Sequence, residues 1–337
     1  MPASGLPLTI GESVLIAIIT SVFHLVLPLA WLGVLAVRTP RSWVVRALNL
    51  TGSALLVGLL VYLGAGWALL GWYTRWALLV VAAPLWLLAA ARVRGALPWP
   101  RGLGGWASAA GALLVALLLV ASSLQVAVGS NAAALAPVDV QNPLPVGAYL
   151  VLHGGDSEAM NHHASVPAQR HALDIVGLSG GGFRAASLAP TDLADYVIYG
   201  ATLRAPCAGE VLLARDGLGD LPVGLPGEAG HEAPLGNTVL IHCTSDITVV
   251  LAHLRPHSVR VATGDVVALG RELGAVGNSG NSSEPHLHLH AVRGRVADPV
   301  RAITDAEPVP LRIDGVLPIR NDRLVVPEAV QPSRASS

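Results

Sequence analysis

The chain divides by pattern before any single residue is considered. Its first 130 residues hold four apolar runs, Val14–Val37, Ala47–Leu70, Trp76–Ala91 and Ala107–Val128. A helix needs about 20 apolar residues to cross the hydrocarbon core of a bilayer. Three runs reach that length, and Trp76–Ala91 must borrow from its flanks. A cleaved leader is a single short apolar region, so four in series exclude it as the whole explanation. From about Gly147 the pattern changes to short β-type runs, namely Tyr149–His153, Gly209–Leu213, Thr238–His242, Ile247–Ala252, Val259–Val261 and His286–Val292. Gly, Pro, Asn and Asp stand between them, which predicts an antiparallel β domain. The expected organisation is an all-α transmembrane bundle of four helices over residues 1–130, a linker over 131–146 and a mostly antiparallel β domain over 147–325. The stretch Ser130–Pro145, rich in Ala, Pro and Asn, leaves the membrane. Near the end, Val309–Leu324 suggests one more short strand pair. The tail 326–337 is expected to be disordered, above all Ser333–Ser337.

Composition agrees with this division. Of the residues 53% are hydrophobic and only 13% charged, against about a quarter charged in a soluble globular chain. The net charge of −1 averages two unlike halves: before residue 131 there are seven Arg and one acid, Glu12. Every basic residue is Arg, a bias that fits a GC-rich coding sequence and carries no functional message. Neither half has a Lys/Arg-rich run, so nucleic acid is not an expected partner. The Arg positions orient the helices. Arg38, Arg41 and Arg46 lie between the first and second runs, and Arg92, Arg94 and Arg101 between the third and fourth. Only Arg75, beside Trp72, Tyr73 and Trp76, lies between the second and third. The positive-inside rule puts the two Arg-rich loops in the cytoplasm, with both termini and the β domain outside. The helices contain one His, His24, and one Glu. That argues against transport and for an anchor in the lipid bilayer, or a docking point for a membrane protein partner. His24 is expected to be a neutral imidazole bonded to a neighbouring helix.

The stretch Gly277–His290 ends in Pro285-His286-Leu287-His288-Leu289-His290. In a strand, residues two apart share a face, so these three imidazoles would line one side. Imidazole is a standard zinc ligand, but His-x-His alone is a weak signal. Its surroundings add the weight: Ala205-Pro206-Cys207-Ala208-Gly209-Glu210-Val211, then Gly236-Asn237, Ala252-His253-Leu254 and Gly264-Asp265-Val266-Val267-Ala268-Leu269-Gly270 precede Pro285-His286-Leu287-His288. In that order these segments resemble the lysostaphin/LytM-type peptidoglycan endopeptidases, over roughly Gly147 to Pro299.

The resemblance implies a zinc (Zn²⁺) site of two His and one Asp with an open fourth position, the catalytic form of zinc. His288 carries over as a ligand. His253 and His286 carry over as the catalytic pair beside the reacting water, in either order of base and donor. The family's His-x-x-x-Asp would place its first ligand at Arg170, whose guanidinium has no lone pair to offer. His171 is three residues from Asp174 and on the opposite face of an extended segment. A subgroup of the family has Asn-x-His upstream of Gln-Arg-Tyr-Ala-Leu-Asp, which resembles Asn161-His162-His163 and Gln169-Arg170-His171-Ala172-Leu173-Asp174 here. By that resemblance His163 and Asp174 complete the ligands, with His162 and His171 as the alternatives to His163. Cys207 and Cys243 lie in β-type runs of an outward-facing domain, where disulfides persist. A bond between them would contribute about 3–4 kcal/mol in the chain-entropy model, the alternative being two buried thiols. The function implied is a membrane-anchored zinc endopeptidase cutting peptide cross-links of peptidoglycan outside the cytoplasm. Its rival is a catalytically inactive relative, a binding or regulatory module that activates another wall hydrolase.

Overall fold

A computed structural model describes residues 10–40, 42–64, 66–93, 96–129, 136–224 and 232–328. Arg41, Arg94, the start of the linker and the expected disordered end Ser333–Ser337 lie outside these described residues. The N-terminal part is helical. A first long rod runs through α1 (Ile10–Ser21), a π-helical turn at Val22–Val26 and α2 (Leu27–Val37). It is followed by α3 (Trp43–Leu63), the short α4 (Trp67–Leu70), α5 (Thr74–Ala91) and α6 (Gly102–Gly129). Among the described residues four helices are long and apolar enough to cross a membrane: Val14–Val37, Trp43–Leu63, Thr74–Ala91 and Gly102–Gln125. In hydrocarbon only a helix or a closed barrel can satisfy its own backbone, so long apolar runs take this form.

The second helix departs from the expected Ala47–Leu70. It starts earlier, stops at Leu63, and α4 forms a separate buried turn. The cause is Gly64 and Gly66: a Cβ at Gly64 would lie 2.9 Å from both the His24 and Trp67 rings, and one at Gly66 would lie 2.5 Å from Thr20. Only glycine lets the chain pass here. His24 fills the notch, its Nδ1 donating to Thr20 O (3.0 Å) and its Nε2 accepting from the Gly66 amide (3.3 Å). It is a neutral ring serving the helix packing, as expected.

The C-terminal part is a nine-stranded sheet in the order β13-β2-β3-β10-β7-β6-β5-β8, with β11 beside the end of β10. Its strands are β2 (Gly147–His153), β3 (Leu173–Leu178), β5 (Gly209–Arg215), β6 (Asn237–Cys243), β7 (Ile247–Leu254), β8 (Val266–Val267), β10 (Leu287–Arg293), β11 (Pro308–Val309) and β13 (Arg323–Val326). All these pairings are antiparallel. Two small ribbons flank it, a parallel pair of β1 (Val138–Val140) with β12 (Leu311–Ile313) and an antiparallel pair of β4 (Thr202–Arg204) with β9 (Glu272–Ala275). Strand alternation builds two cores. Val249, Leu251, Ile175, Leu287 and Leu289 face one side. Leu240, Val250 and Val292 face the other, under Ala302 of α7 (Pro299–Thr304).

Two expected elements differ. Val259–Val261 is not a strand, because the Val259 amide donates to the Asp216 carboxylate (3.1 Å) and only Arg260 reaches β9, at Leu273 O (2.9 Å). Val309–Leu324 holds two strands that find other partners, β12 on β1 and β13 on β2. Cys207 and Cys243 form the expected disulfide, with Cα atoms 5.8 Å apart.

The helical and sheet parts touch along the loop between α3 and α5. Leu150, Val176 and Leu178 on β2 and β3 pack against Ala68 and Trp72. Asn321 forms a knot there: its side chain donates to Tyr62 O (2.9 Å) and Gly64 O (3.2 Å), and its carbonyl accepts from Trp72 Nε1 and Arg75 Nη1. The Trp72 amide also donates to Gly182 O (2.8 Å). The Arg-rich loops lie at the other end of the bundle.

Candidate metal centre

Asp174 on β3 stands directly across from His288 on β10, so the pleat brings both side chains to one face. The Asp174 carboxylate is engaged at each oxygen, Oδ1 by His288 Nδ1 and Oδ2 by His163 Nε2, both at 2.9 Å. His163 comes from the 3-10 turn His162–Ser165. Fully buried Asn161 fixes that turn. Its Oδ1 accepts from the His163 amide (3.1 Å), while its Nδ2 donates to the carbonyls of Gly155, Arg170 and Ala172. An Asn two residues before the His thus ties the turn to the start of β3.

The ligand-type atoms of His163, Asp174 and His288 lie within 4.8 Å of one another. Two imidazoles and a carboxylate are the nitrogen and oxygen donors that zinc takes, and the donor set fits that ion. Burial alone would raise the Asp174 carboxyl, but His163 and His286 beside it hold it well below the usual carboxylate range. The centre therefore carries an ionised carboxylate, the form of that ligand a divalent cation requires. His162 is exposed and stacks over His163, with ring centroids 3.8 Å apart. With His153 it forms a second group that shares Asp174. His171 turns elsewhere: its Nδ1 faces Asp156 at 3.7 Å, and Arg170 is bonded to the same carboxylate.

A hydrogen-bond relay supports His288 from behind. Its Nε2 lies 3.0 Å from His290 Nδ1, and His290 Nε2 lies 2.9 Å from Ala302 O. A carbonyl only accepts, so His290 carries its proton on Nε2 and accepts at Nδ1. His288 then carries its proton on Nε2, which leaves the Nδ1 lone pair toward the centre, the kind of tautomer control common behind metal ligands. Burial lowers His288 to about 3 and His290 to about 4, so both stay neutral near physiological pH.

His253 and His286 are buried beside the centre, their rings 4.8 Å apart. His253 adopts a left-handed backbone (φ 63°), uncommon for a residue with a side chain. Its amide donates to Leu235 O (3.0 Å) and its Nδ1 to Ser279 O (2.8 Å), so Nε2 carries a free lone pair. Burial, reinforced by His286 and His288, holds it well below its ordinary range. His286 Nδ1 donates to Glu284 O (2.8 Å), and its Nε2 lies 3.5 Å from Asp174 Oδ1. Burial works against its charged form too, yet the Asp174 carboxylate outweighs it and the pKa rises. Arg184 grips Glu284 at 2.9 Å and so steadies the carbonyl that orients His286.

Sequence reasoning named the five side chains at the centre and missed their supports. Strand alternation contained the signal for His290, two residues beyond His288. Nothing local marks Ser279 O, Ala302 O or Arg184, whose partners lie 26, 12 and 100 residues away.

The His/Asp cluster thus lies on one face of a mostly antiparallel sheet. Residues 194–299 match the model of peptidase family M23. That segment contains His253, His286 and His288 but begins after His163 and Asp174. No curated protein matches the chain. Among solved structures it is similar to a zinc containing peptidase from Vibrio cholerae (17% identity, 51% of this chain and 39% of that one, TM-score 0.30). It is also similar to the catalytic domain of the antimicrobial peptidase lysostaphin from Staphylococcus simulans (21% identity, 32% of this chain and 75% of that one, TM-score 0.21). The chain thus spans about two fifths of the Vibrio cholerae protein.

Proposed function

We propose that the protein is a membrane-anchored zinc endopeptidase that hydrolyses peptide cross-links of peptidoglycan on the outer side of the membrane. The observation that carries this reading is the Asp174 carboxylate, buried and met at 2.9 Å by His163 on one oxygen and His288 on the other. His163, Asp174 and His288 would hold the ion. Bound there, zinc polarises a scissile carbonyl and lowers the pKa of water to about 7.

The chain's own residues then divide the proton work. His253, held neutral with Nδ1–H on Ser279 O, offers Nε2 as the acceptor for a proton from the attacking water. His286, with Nδ1–H on Glu284 O and a raised pKa, is the better donor from Nε2 to the developing oxyanion or the leaving amine. Two like groups whose surroundings push their pKa values apart make a natural base and acid pair. The relay through His290 to Ala302 O keeps His288 from turning its protonated nitrogen inward. The substrate class follows the M23 match and the resemblance of the segment order. Sidedness is supported by Arg38, Arg46, Arg92 and Arg101, which gather at the end of the helical half away from the β domain, and by Trp72 and Arg75 lying against that domain. The two cysteines being disulfide-bonded suits the same side.

The test is release of muropeptides from purified sacculi by the full chain in detergent, read beside its zinc content. Cleavage that stops with a chelator and returns with zinc is expected. A chain that holds no zinc, or that holds it and cuts no cross-link, would overturn the reading.

A further inference from the structure

At the end of the bundle away from the β domain, α2, α3, α6 and the segment 96–101 enclose a cavity of about 660 Å³. Arg38, Arg46 and Arg101 line it together with Asn49, Ser108 and Trp99. Arg38 and Arg101 are exposed at the rim, while Arg46 is 4% exposed and lies in the wall. The Arg46 Nη groups donate to the carbonyls of Leu35 and Arg38, and its Nε has no hydrogen-bond partner. No described acid is near. The only acid of the helical half is Glu12, close to the start of α1, and at about 1.5 Å per residue it sits some ~40 Å along the helix from Arg38. A buried guanidinium usually pairs with a carboxylate or another anion; carbonyl oxygens supply dipoles but no counter-charge.

Topology alone does not account for this arrangement. Exposed rim arginines suffice for the positive-inside rule, and a buried one adds nothing to it. What the cavity offers is a guanidinium in its wall, two more at its mouth, amide and hydroxyl groups, and apolar lining from Leu35, Val45 and Leu97. Such a lining suits a ligand with an anionic head and an apolar body, and basic pockets between transmembrane helices bind acidic headgroups in this way. We propose that this cavity is a site for a phosphate-type anion, the headgroup of an acidic phospholipid of the facing leaflet. Arg46 supplies the buried charge, and Arg38 and Arg101 close over the phosphate from the rim. The site lies far from the metal centre and is independent of it, but it rests on the reading of the helices as membrane-spanning.

The experiment uses the full chain purified in detergent, with native mass spectrometry to count retained lipid. Phosphatidylglycerol and phosphatidylcholine with the same acyl chains are titrated in parallel, and inorganic phosphate is added as a competitor. Phosphatidylglycerol is expected to be retained in preference to phosphatidylcholine, and Arg38→Gln/Arg101→Gln is expected to weaken that preference about tenfold or more. The rim variant is used because Arg46→Gln could disturb folding. Displacement of the lipid by millimolar phosphate would assign the site to free phosphate and leave the anion chemistry standing. Equal retention of the two lipids, or a preference untouched by the double variant, would overturn the proposal. A chain that stays in solution without detergent would instead overturn the membrane reading itself.

Discussion

Two buried polar clusters, one in each half, handle charge in opposite ways. At the metal centre three of the four histidines are tied from behind: His253 to Ser279 O, His286 to Glu284 O, and His288 through His290 to Ala302 O. These bonds fix the tautomers, and the nitrogens left over on His286 and His288 lie 3.5 and 2.9 Å from one carboxylate oxygen of Asp174. At the far end of the bundle Arg46 is buried with no acid, braced by two carbonyls and with Nε unpartnered. In the first cluster the bonds behind these three rings are complete and the centre is negative; in the second the guanidinium is incompletely bonded and positive. A complete network with a charged focus is preorganised for an ion of opposite sign, whereas an incomplete one needs its ligand to finish it.

The largest expected effect breaks the first cluster at its focus. Asp174→Asn keeps the shape but removes the charge and one acceptor, so zinc content and muropeptide release should both fall to background. A variant retaining stoichiometric zinc would remove Asp174 from the ligand set. Next, His253→Ala and His286→Ala should each keep the metal and lose about 10²–10⁴-fold in rate, the usual worth of general acid–base help. Metal analysis beside cleavage separates them from His288→Ala, which should lose both. If His286→Ala lost zinc and His288→Ala kept it, their roles would be exchanged.

A smaller effect is expected at the other cluster. Removing a buried charge that has no counter-charge also removes its desolvation cost, which offsets the loss of its two carbonyl bonds. In lipid-depleted detergent Arg46→Leu should therefore change thermal stability by no more than about 1.5 kcal/mol. The wild type should gain on adding phosphatidylglycerol, and the variant should not. A large loss in the absence of lipid would mean that the two carbonyl bonds, rather than an anion, account for the buried arginine.

How much of this was legible in the sequence follows from how far each feature reaches. The four helices were, because an apolar run in lipid needs no partner to become a helix. The stop at Leu63 was not, since Gly64 and Gly66 are apolar by count and their meaning depends on His24 and Thr20 pressing against them. Strand alternation gave the shared face of His288 and His290, and the resemblance of Asn161-His162-His163 and Gln169–Asp174 to a subgroup of the family pointed to His163 and Asp174. The knot at Asn321 was invisible, for its partners lie 246 to 259 residues earlier. Val259–Val261 misled because apolar residues in a short run look alike whether their amides meet a strand or the Asp216 carboxylate.

The smallest expected effect concerns His171, which competes with His163 for the ligand role on sequence grounds. It is 9% exposed and faces Asp156, away from the metal centre. His171→Gln should leave zinc content and cleavage unchanged, whereas a ligand would not tolerate it. Its effect should appear instead in the pH dependence of stability. Burial lowers the His171 pKa from 6.5, Arg170 adds to that, and Asp156 offsets only part of it. Below pH 6.5 the unfolded chain therefore takes up a proton that the folded chain refuses. The stability His171 contributes is fully present above that pH and is lost as the pH falls through it toward the lower folded value. The slope is at most about 1.4 kcal/mol per pH unit for one excluded proton. Denaturation of the metal-free chain at two pH values, one above and one below 6.5, should show a shallower acid loss in the variant than in the wild type. Equal slopes would mean that His171 titrates freely in the fold, and a variant without zinc would mean that it, and not His163, completes the centre.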